Sequence, residues 1–458
     1  MTKLSSQTLT EGSICRGLLK FFIPIMLGTF FQQLYNTADS IIVGQFVGKE
    51  ALAAVGGGTA IYVNLLVGFF SGLASGSSIV VSQFFGAKKW RELGESVHTA
   101  VWISLVFGVL MTGLGILLSP LALRIIQTPE EIFASSLSYL QIYFLGIIPM
   151  FIYNMGAGVV RATGDSKSPF IVLAVGVVVN VFLDLLFVAV LKLGVKGAAL
   201  ATDFCQIVSA LMILFRMKRD RYFSFSFRKI SLKKNIFIRM MQIGFPAGLQ
   251  SSLYTVSNLI IQSNINYFGT NAIAAWAAYG RIDGFFWVTV SSFGQSLTTF
   301  SGQNFGAGKI ARMRKANNIG LALMTATAVS YTVIFHFAGR AFFRLFTDDI
   351  DVVNYGMEML NFLTIFYFTY IPVEVYSGTI HGTGDSFVPM IITLVGVCLI
   401  RVVWLFLAVP LHRTIVMVEA CYPVTWIATS LAFMVYYYSG KWMRGKGNPT
   451  GVKNADDR

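Results

Sequence analysis

Asn180 and Asp184 are the only polar residues in VVVNVFLDLLFVAV, residues 177–190. Four positions apart, they fall on one helical face, one turn above the other. An amide and a carboxylate at that spacing offer oxygen ligands to a hard cation, or a carboxyl group that holds a proton. Asp39, in FQQLYNTADSIIVG, lies at a matching depth near the outer end of its own apolar segment, and Thr202 and Asp203 lie near the outer start of another. An ionised carboxylate within a membrane costs roughly 2.5–3.5 kcal/mol even on insertion-based scales, so several at one level need a shared compensation. A bound cation supplies it, and so does a proton retained because two like charges a few ångströms apart do not both ionise. Asp39, Asn180, Asp184 and Thr202 therefore form a candidate ion site, a metal site if the ion is Na⁺. Asp203 points about 100° away from Thr202 on the same helix, either toward a cavity or toward the outer interface.

The elements that carry these residues cross a bilayer. The 458-residue chain is 55% hydrophobic and only 12% charged, and its mean hydropathy is +0.68. Soluble domains carry about a quarter of their residues as charges. Twelve apolar segments are predicted, at 18–44, 52–82, 97–119, 133–160, 169–191, 197–217, 237–267, 272–300, 316–339, 354–380, 388–410 and 415–438. Each suffices to cross about 30 Å of hydrocarbon as helix, and the period-2 alternation of an outer-membrane barrel is absent.

The formal charge of +14 is explained by topology. With the amino terminus inside, segments 1–20, 85–96, 161–168, 216–239, 305–315 and 439–458 carry 26 of the 35 Lys and Arg, and the outward loops carry seven. That bias places both termini in the cytoplasm of a multi-pass plasma (inner, cytoplasmic) membrane protein. It also removes any need for a nucleic-acid partner. Cysteines 15, 205, 398 and 421 and histidines 98, 336, 381 and 412 show no metal-ligand spacing. No enzymatic module, organic cofactor, phosphate-binding GxxxxGK[ST] loop or removable leader is read.

The chain also repeats itself. RATGDSKSPFIVLAVGV from Arg161 and HGTGDSFVPMIITLVGV from His381 share nine identities over the 15 positions starting at Thr163 and Thr383. QFFGA at 83–87 answers QNFGA at 303–307, Pro24 answers Pro246 and Asn36 answers Asn258. Six spans per repeat is an even number, so the halves are parallel repeats related by an axis along the membrane normal. The expected fold is all-α: twelve transmembrane helices in two parallel six-helix lobes around a central cavity. The amino-terminal lobe is 1–217, a cytoplasmic basic linker is 218–236, the carboxy-terminal lobe is 237–438 and a cytoplasmic tail is 439–458. Such a fold suits alternating access.

Features shared by both halves are scaffold under this reading; polar groups in one half only are candidates for chemistry. Asp165 and Asp385, in the paired TGDS segments, are expected to cap the helices that follow them. Asn180 and Asp184 align with Ile400 and Trp404, so they fall in the second class. In the second half the buried charges are expected to be Arg281, Asp283, Glu374 and Arg401, either as internal ion pairs, with Asp283 and Arg401 both near mid-membrane, or as a gate or cation-binding acid. Tyr35, Asn36, Asn154 and Asp203 are candidate substrate or cavity contacts within a plastic, aromatic and Met-rich lining.

Together the two six-helix halves, the Pro24 and Asp39 pattern of the first span, the QFFGA/QNFGA pair and the TGDS echo resemble the multidrug and toxic compound extrusion (MATE) transporters, from about residue 15 to 438. The resemblance implies a monomeric efflux antiporter that exports small organic, often cationic, compounds across the lipid bilayer in exchange for Na⁺ or H⁺. It also implies that Asp39, Asn180, Asp184 and Thr202 are the amino-terminal-lobe coupling-ion site of the DinF-like branch. Relatives of the NorM and eukaryotic type carry an acid in the seventh span, whereas GFPAGLQSSLYTVSNLIIQ, residues 244–262, has none. Glu374 is then the remnant of any second-lobe ion site. The alternative is a lipid-linked oligosaccharide flippase of related architecture, which would want several cavity-facing Arg or Lys; only Arg281 and Arg401 lie within spans.

Overall fold

Backbone N–H and C=O groups that enter hydrocarbon must be satisfied within their own segment, which leaves the apolar segments one conformation to adopt. The computed structural model describes residues 9–444, and within them all regular structure is helical. The chain runs α1 (Ile14–Phe46), α2 (Lys49–Gly56), α3 (Gly58–Gly86), α4 (Trp90–Ile125), α5 (Glu130–Leu145), α6 (Ile147–Ala162), α7 (Lys167–Asp184), α8 (Val195–Arg219), α9 (Lys234–Asn266), α10 (Thr270–Gly306), α11 (Ile310–Arg344), α12 (Ile350–Ile365), α13 (Tyr367–Gly382), α14 (Phe387–Thr393), α15 (Ile400–Leu407), α16 (Ile415–Glu419) and α17 (Cys421–Tyr438). π-helical turns, Leu185–Val190 and Leu394–Leu399, follow α7 and α14.

Among the described residues, eight helical runs are individually long and apolar enough to span a membrane, and the bent pair α5–α6 makes a ninth. The other three expected spans are α9, α10 and the pair α12–α13. These carry Asp, Glu, Asn, Gln and Ser where the others carry aliphatic residues. Several predicted spans are broken: the fourth bends by 49° between α5 and α6, and the tenth and twelfth break at Phe366 and Ala420.

Two compact units result, and their boundary differs from the expected linker. One contains Lys20–Gly248; the other contains Leu9–Leu19 and the chain from Leu249 onward. The reason lies in α9, whose first half packs on α3 in the first unit. A Cβ at Gly72 would lie 2.2 Å from the backbone nitrogen of Gly248, so only glycine permits this crossing. The basic linker packs on the first unit too. Its alternating YFSFSF pattern puts Phe223 and Phe225 into the core formed by α3, α4 and α6, with Ser224 exposed between them. Phe225 stacks on His98, whose Nε2 accepts a hydrogen bond from Ser226 N at 3.2 Å.

The second unit holds its own inner strap. Leu9 N donates to Gln303 Oε1 at 3.0 Å, and Arg312 donates to the carbonyls of Leu9, Glu11 and Gly12. The glutamine of the matching QFFGA segment, Gln83, accepts from Arg239 within the first unit. Asp165 receives Ser168 N at 2.9 Å and pairs with Arg216 at 2.8 Å. Its repeat partner Asp385 receives Val388 N at 3.4 Å and the Tyr436 hydroxyl. Both therefore cap the following helix.

Candidate functional site

Three helices carry the candidate ion-site residues of the first unit. α1 supplies Tyr35 and Asp39, α7 supplies Asn180 and, as its last residue, Asp184, and α8 supplies Thr202 and Asp203. Asn180 and Asp184 are fully buried; Asp39, Thr202 and Asp203 are buried. Their helical period and the apolar residues between them aim both α7 side chains inward, leaving Val178 and Phe182 exposed on the opposite face. Tyr35 Oη lies 3.2 Å from Thr202 Oγ1 and so ties α1 to α8. Asp39 is close enough to Asp184 for their charges to interact. Directly after Asp184 the backbone widens into the π-helical turn, in which Leu191 N reaches back to Leu186 O at 2.8 Å. Such turns recur at functional sites because they redirect one register of side chains.

The polar atoms of this cluster are largely unmatched. Asp39 Oδ1, both side-chain polar atoms of Asn180 and both carboxylate oxygens of Asp184 are buried without a hydrogen-bond partner among the described residues. Each such atom costs about 1–3 kcal/mol if nothing satisfies it. Five of them on two facing helices constitute an oxygen-rich pocket suited to a cation or a proton. No group of three or more His, Cys, Asp or Glu gathers anywhere among the described residues. A cation there would meet at most two carboxylates plus neutral oxygens, which fits a singly charged ion.

The remaining first-unit candidates do not join this cluster. Asp203 presses against the break between α5 and α6: a Cβ at Gly146 would lie 2.0 Å from its Oδ1. Asn36 is exposed, and Asn154 donates within its own helix to Met150 O at 3.0 Å.

In the second unit the expected ion pairs are not formed. No ion pair among the described residues involves Arg281, Asp283, Glu374 or Arg401. Arg281 is exposed and not buried, because two positions before Asp283 on a helix it points to the opposite side. Asp283 is satisfied by the Tyr367 hydroxyl and by Trp287 Nε1 at 2.6 Å, beneath a Phe286–Tyr367 stack with centroids 3.9 Å apart. Glu374 is half-buried, 3.5 Å from Tyr370 Oη and against Gly294. Arg401 is buried at 2% exposure, donates from Nη1 to Ser257 Oγ (3.2 Å) and Asn258 Oδ1 (3.1 Å), and lies 4.6 Å over the Tyr422 ring. Sequence reasoning missed Glu419, which is fully buried with neither carboxylate oxygen bonded. A carboxylate inside the predicted segment 415–438 was the signal that could have found it.

Comparison with known proteins agrees with this architecture. Residues 24–186 and 246–407 each match the family MatE, one match per repeat. The chain is 28% identical over 443 residues to the probable multidrug resistance protein YpnP of Bacillus subtilis, covering 94% of this chain and 97% of that protein. It is 26% identical over 452 residues to the probable multidrug resistance protein YoeA of the same organism, covering 96% and 97%. A solved outward-facing multidrug resistance MATE family transporter of the MOP superfamily superposes with a TM-score of 0.89 at 22% identity, covering 97% of this chain and 99% of that one. With one match in each repeat, together spanning most of the chain, the protein belongs to the MatE family, the multidrug and toxic compound extrusion proteins.

Proposed function

We propose that the protein is a secondary active antiporter that exports small organic, often cationic, compounds in exchange for Na⁺ or H⁺. In this reading Asp39, Asn180, Asp184 and Thr202 hold the coupling ion, as in the DinF-like branch. The chain works as a monomer in the cytoplasmic membrane with both termini inside. The observation that supports it is the cluster of buried, unpartnered polar atoms on Asp39, Asn180 and Asp184. An ion entering that cluster compensates the desolvated carboxylates, so the lobe has a lower free energy loaded than empty, and ion occupancy can bias a conformational equilibrium. Neutral oxygens from Asn180 and Thr202 replace parts of a hydration shell, which a proton would not need, and so favour Na⁺. The test is efflux of a fluorescent organic cation from proteoliposomes under an imposed Na⁺ gradient or an imposed pH gradient, one at a time. Asp39→Asn and Asp184→Asn should each abolish gradient-driven efflux while leaving membrane insertion intact; normal efflux by both variants removes the assignment.

A further inference from the structure

The second unit buries a cation that the ion site does not use. Arg401 sits one residue beyond Ile400, the repeat partner of Asn180, on the outer part of its span. The residue is only 2% exposed, yet among the described residues no carboxylate lies within ion-pair distance of it. The charges of Asp283 and Glu419 reach Tyr422 as that of Arg401 does, and Glu374 shares Tyr254 and Tyr370 with it, but none of the three forms an ion pair with the guanidinium. Of these acids, Asp283 and Glu374 have hydrogen-bond partners of their own and Glu419 does not.

The hydrogen bonds that Arg401 does make occupy one end of the fork. Nη1 donates to Ser257 and Asn258, and the Tyr422 ring covers one face of the guanidinium. These three contacts fix the plane of the group. Nε is buried without an acceptor, and neither hydrogen bond of the guanidinium uses Nη2. The Nε and Nη2 edge is the pair of parallel donors that matches the two oxygens of a carboxylate or phosphate. A charge this deep, held rigid on three sides and presenting its bidentate edge unmatched, is organised for an anion. The alternative use of a buried arginine, an internal salt bridge, is not made.

We propose that Arg401, positioned by Ser257, Asn258 and Tyr422, is an oxyanion-binding site in the carboxy-terminal lobe that takes the carboxylate of zwitterionic or acidic organic compounds. The inference rests on the efflux reading only in taking exported compounds as ligands, and it is independent of the coupling ion.

Equilibrium binding without any gradient keeps the two apart. Rhodamine 110, a zwitterion with a free carboxylate, and its methyl ester rhodamine 123, a cation with the same ring system, are titrated by fluorescence polarisation against the purified full-length protein in maltoside detergent. The parent should bind the acid about tenfold more tightly than the ester. Arg401→Gln should bring that ratio close to one by weakening the acid alone. Arg401→Lys, which keeps the charge but loses the fork, should restore only part of the preference. Equal loss of both ligands in a folded Arg401→Gln, or a parent that does not prefer the acid, overturns the proposal. Should Arg401→Gln fail to fold, the parent ratio and the lysine variant decide the matter by themselves. A lipid phosphate offers the same oxyanion: phosphatidylglycerol that displaces the acid from the parent assigns the edge to a headgroup, and failure to displace it assigns the edge to the exported compound.

Discussion

Asp184→Asn tests the ion reading through stability, where folding and transport are not confounded. Asp184 is fully buried, neither carboxylate oxygen is bonded, and Asp39 is near enough for the two charges to interact. An ionised carboxylate in that position costs roughly 2.5–3.5 kcal/mol. An amide removes the charge but leaves a buried unpaired polar group worth about 1–3 kcal/mol. In ion-free buffer the variant should therefore be more stable than the parent by about 1 kcal/mol. Adding Na⁺ reverses the order. At a hundredfold excess over its dissociation constant a bound ion stabilises the parent by about 2.7 kcal/mol and the variant hardly at all. Thermal unfolding in detergent, followed by tryptophan fluorescence while Na⁺ replaces choline at constant ionic strength, reads this as an upward shift of a few degrees in the parent only. A shift of equal size in both proteins places the ion elsewhere. An ion-free variant clearly less stable than the ion-free parent refutes the desolvation argument itself.

Asn180→Ala and Thr202→Ala should each weaken Na⁺-driven efflux more than pH-driven efflux, because they remove neutral ligands that only a hydrated metal ion needs; equal losses in the proteoliposome assay favour a proton. Gly72→Ala should lower thermal stability by about 1–3 kcal/mol, since its Cβ meets the Gly248 backbone at 2.2 Å. Gly113→Ala, which meets nothing within 4 Å, should be neutral or raise stability by about 0.4–1 kcal/mol. Asp283→Asn and Arg401→Gln should be additive to within about 0.5 kcal/mol in unfolding experiments, because they share no hydrogen bond; a larger coupling would show that they are partners after all.

The spans and their duplication were legible in the sequence because a bilayer allows an apolar segment only one way to satisfy its backbone. The grouping of Asn180 with Asp184 followed equally from helical period. What hydropathy cannot register is a break that leaves composition unchanged. Gly146 lies within a segment apolar on both sides, and at the 49° bend there Asp203 occupies the space a side chain at Gly146 would need. The second-lobe charges failed for a related reason. Opposite charges at similar depth suggest pairing, yet depth says nothing about azimuth: Arg281 is exposed, and Asp283 is satisfied by Tyr367 and Trp287. The inner strap was also silent, since Gln303 and Arg312 hold its backbone and impose no side-chain pattern on residues 9–12.

The repeat shows what duplication kept and what it released. TGDS turns, the QFFGA and QNFGA segments and the proline pair have equivalents in both halves. The site residues do not. Asp39, Asn180, Asp184 and Thr202 correspond to Ile261, Ile400, Trp404 and Tyr422, so the four positions that form the polar cluster in one lobe are apolar or aromatic in the other. Beside them the second lobe places Arg401, stacked on Tyr422, the very counterpart of Thr202. Under the proposed ion reading, the positive charge of Arg401 lowers what the second lobe gains from a cation at these positions, whereas the two desolvated carboxylates of the first lobe raise the gain there. In that reading ion binding stabilises the two lobes unequally, and this inequality lets a single ion bias a scaffold built from one repeated sequence, because a ligand shifts an equilibrium only to the extent that it distinguishes the states it binds.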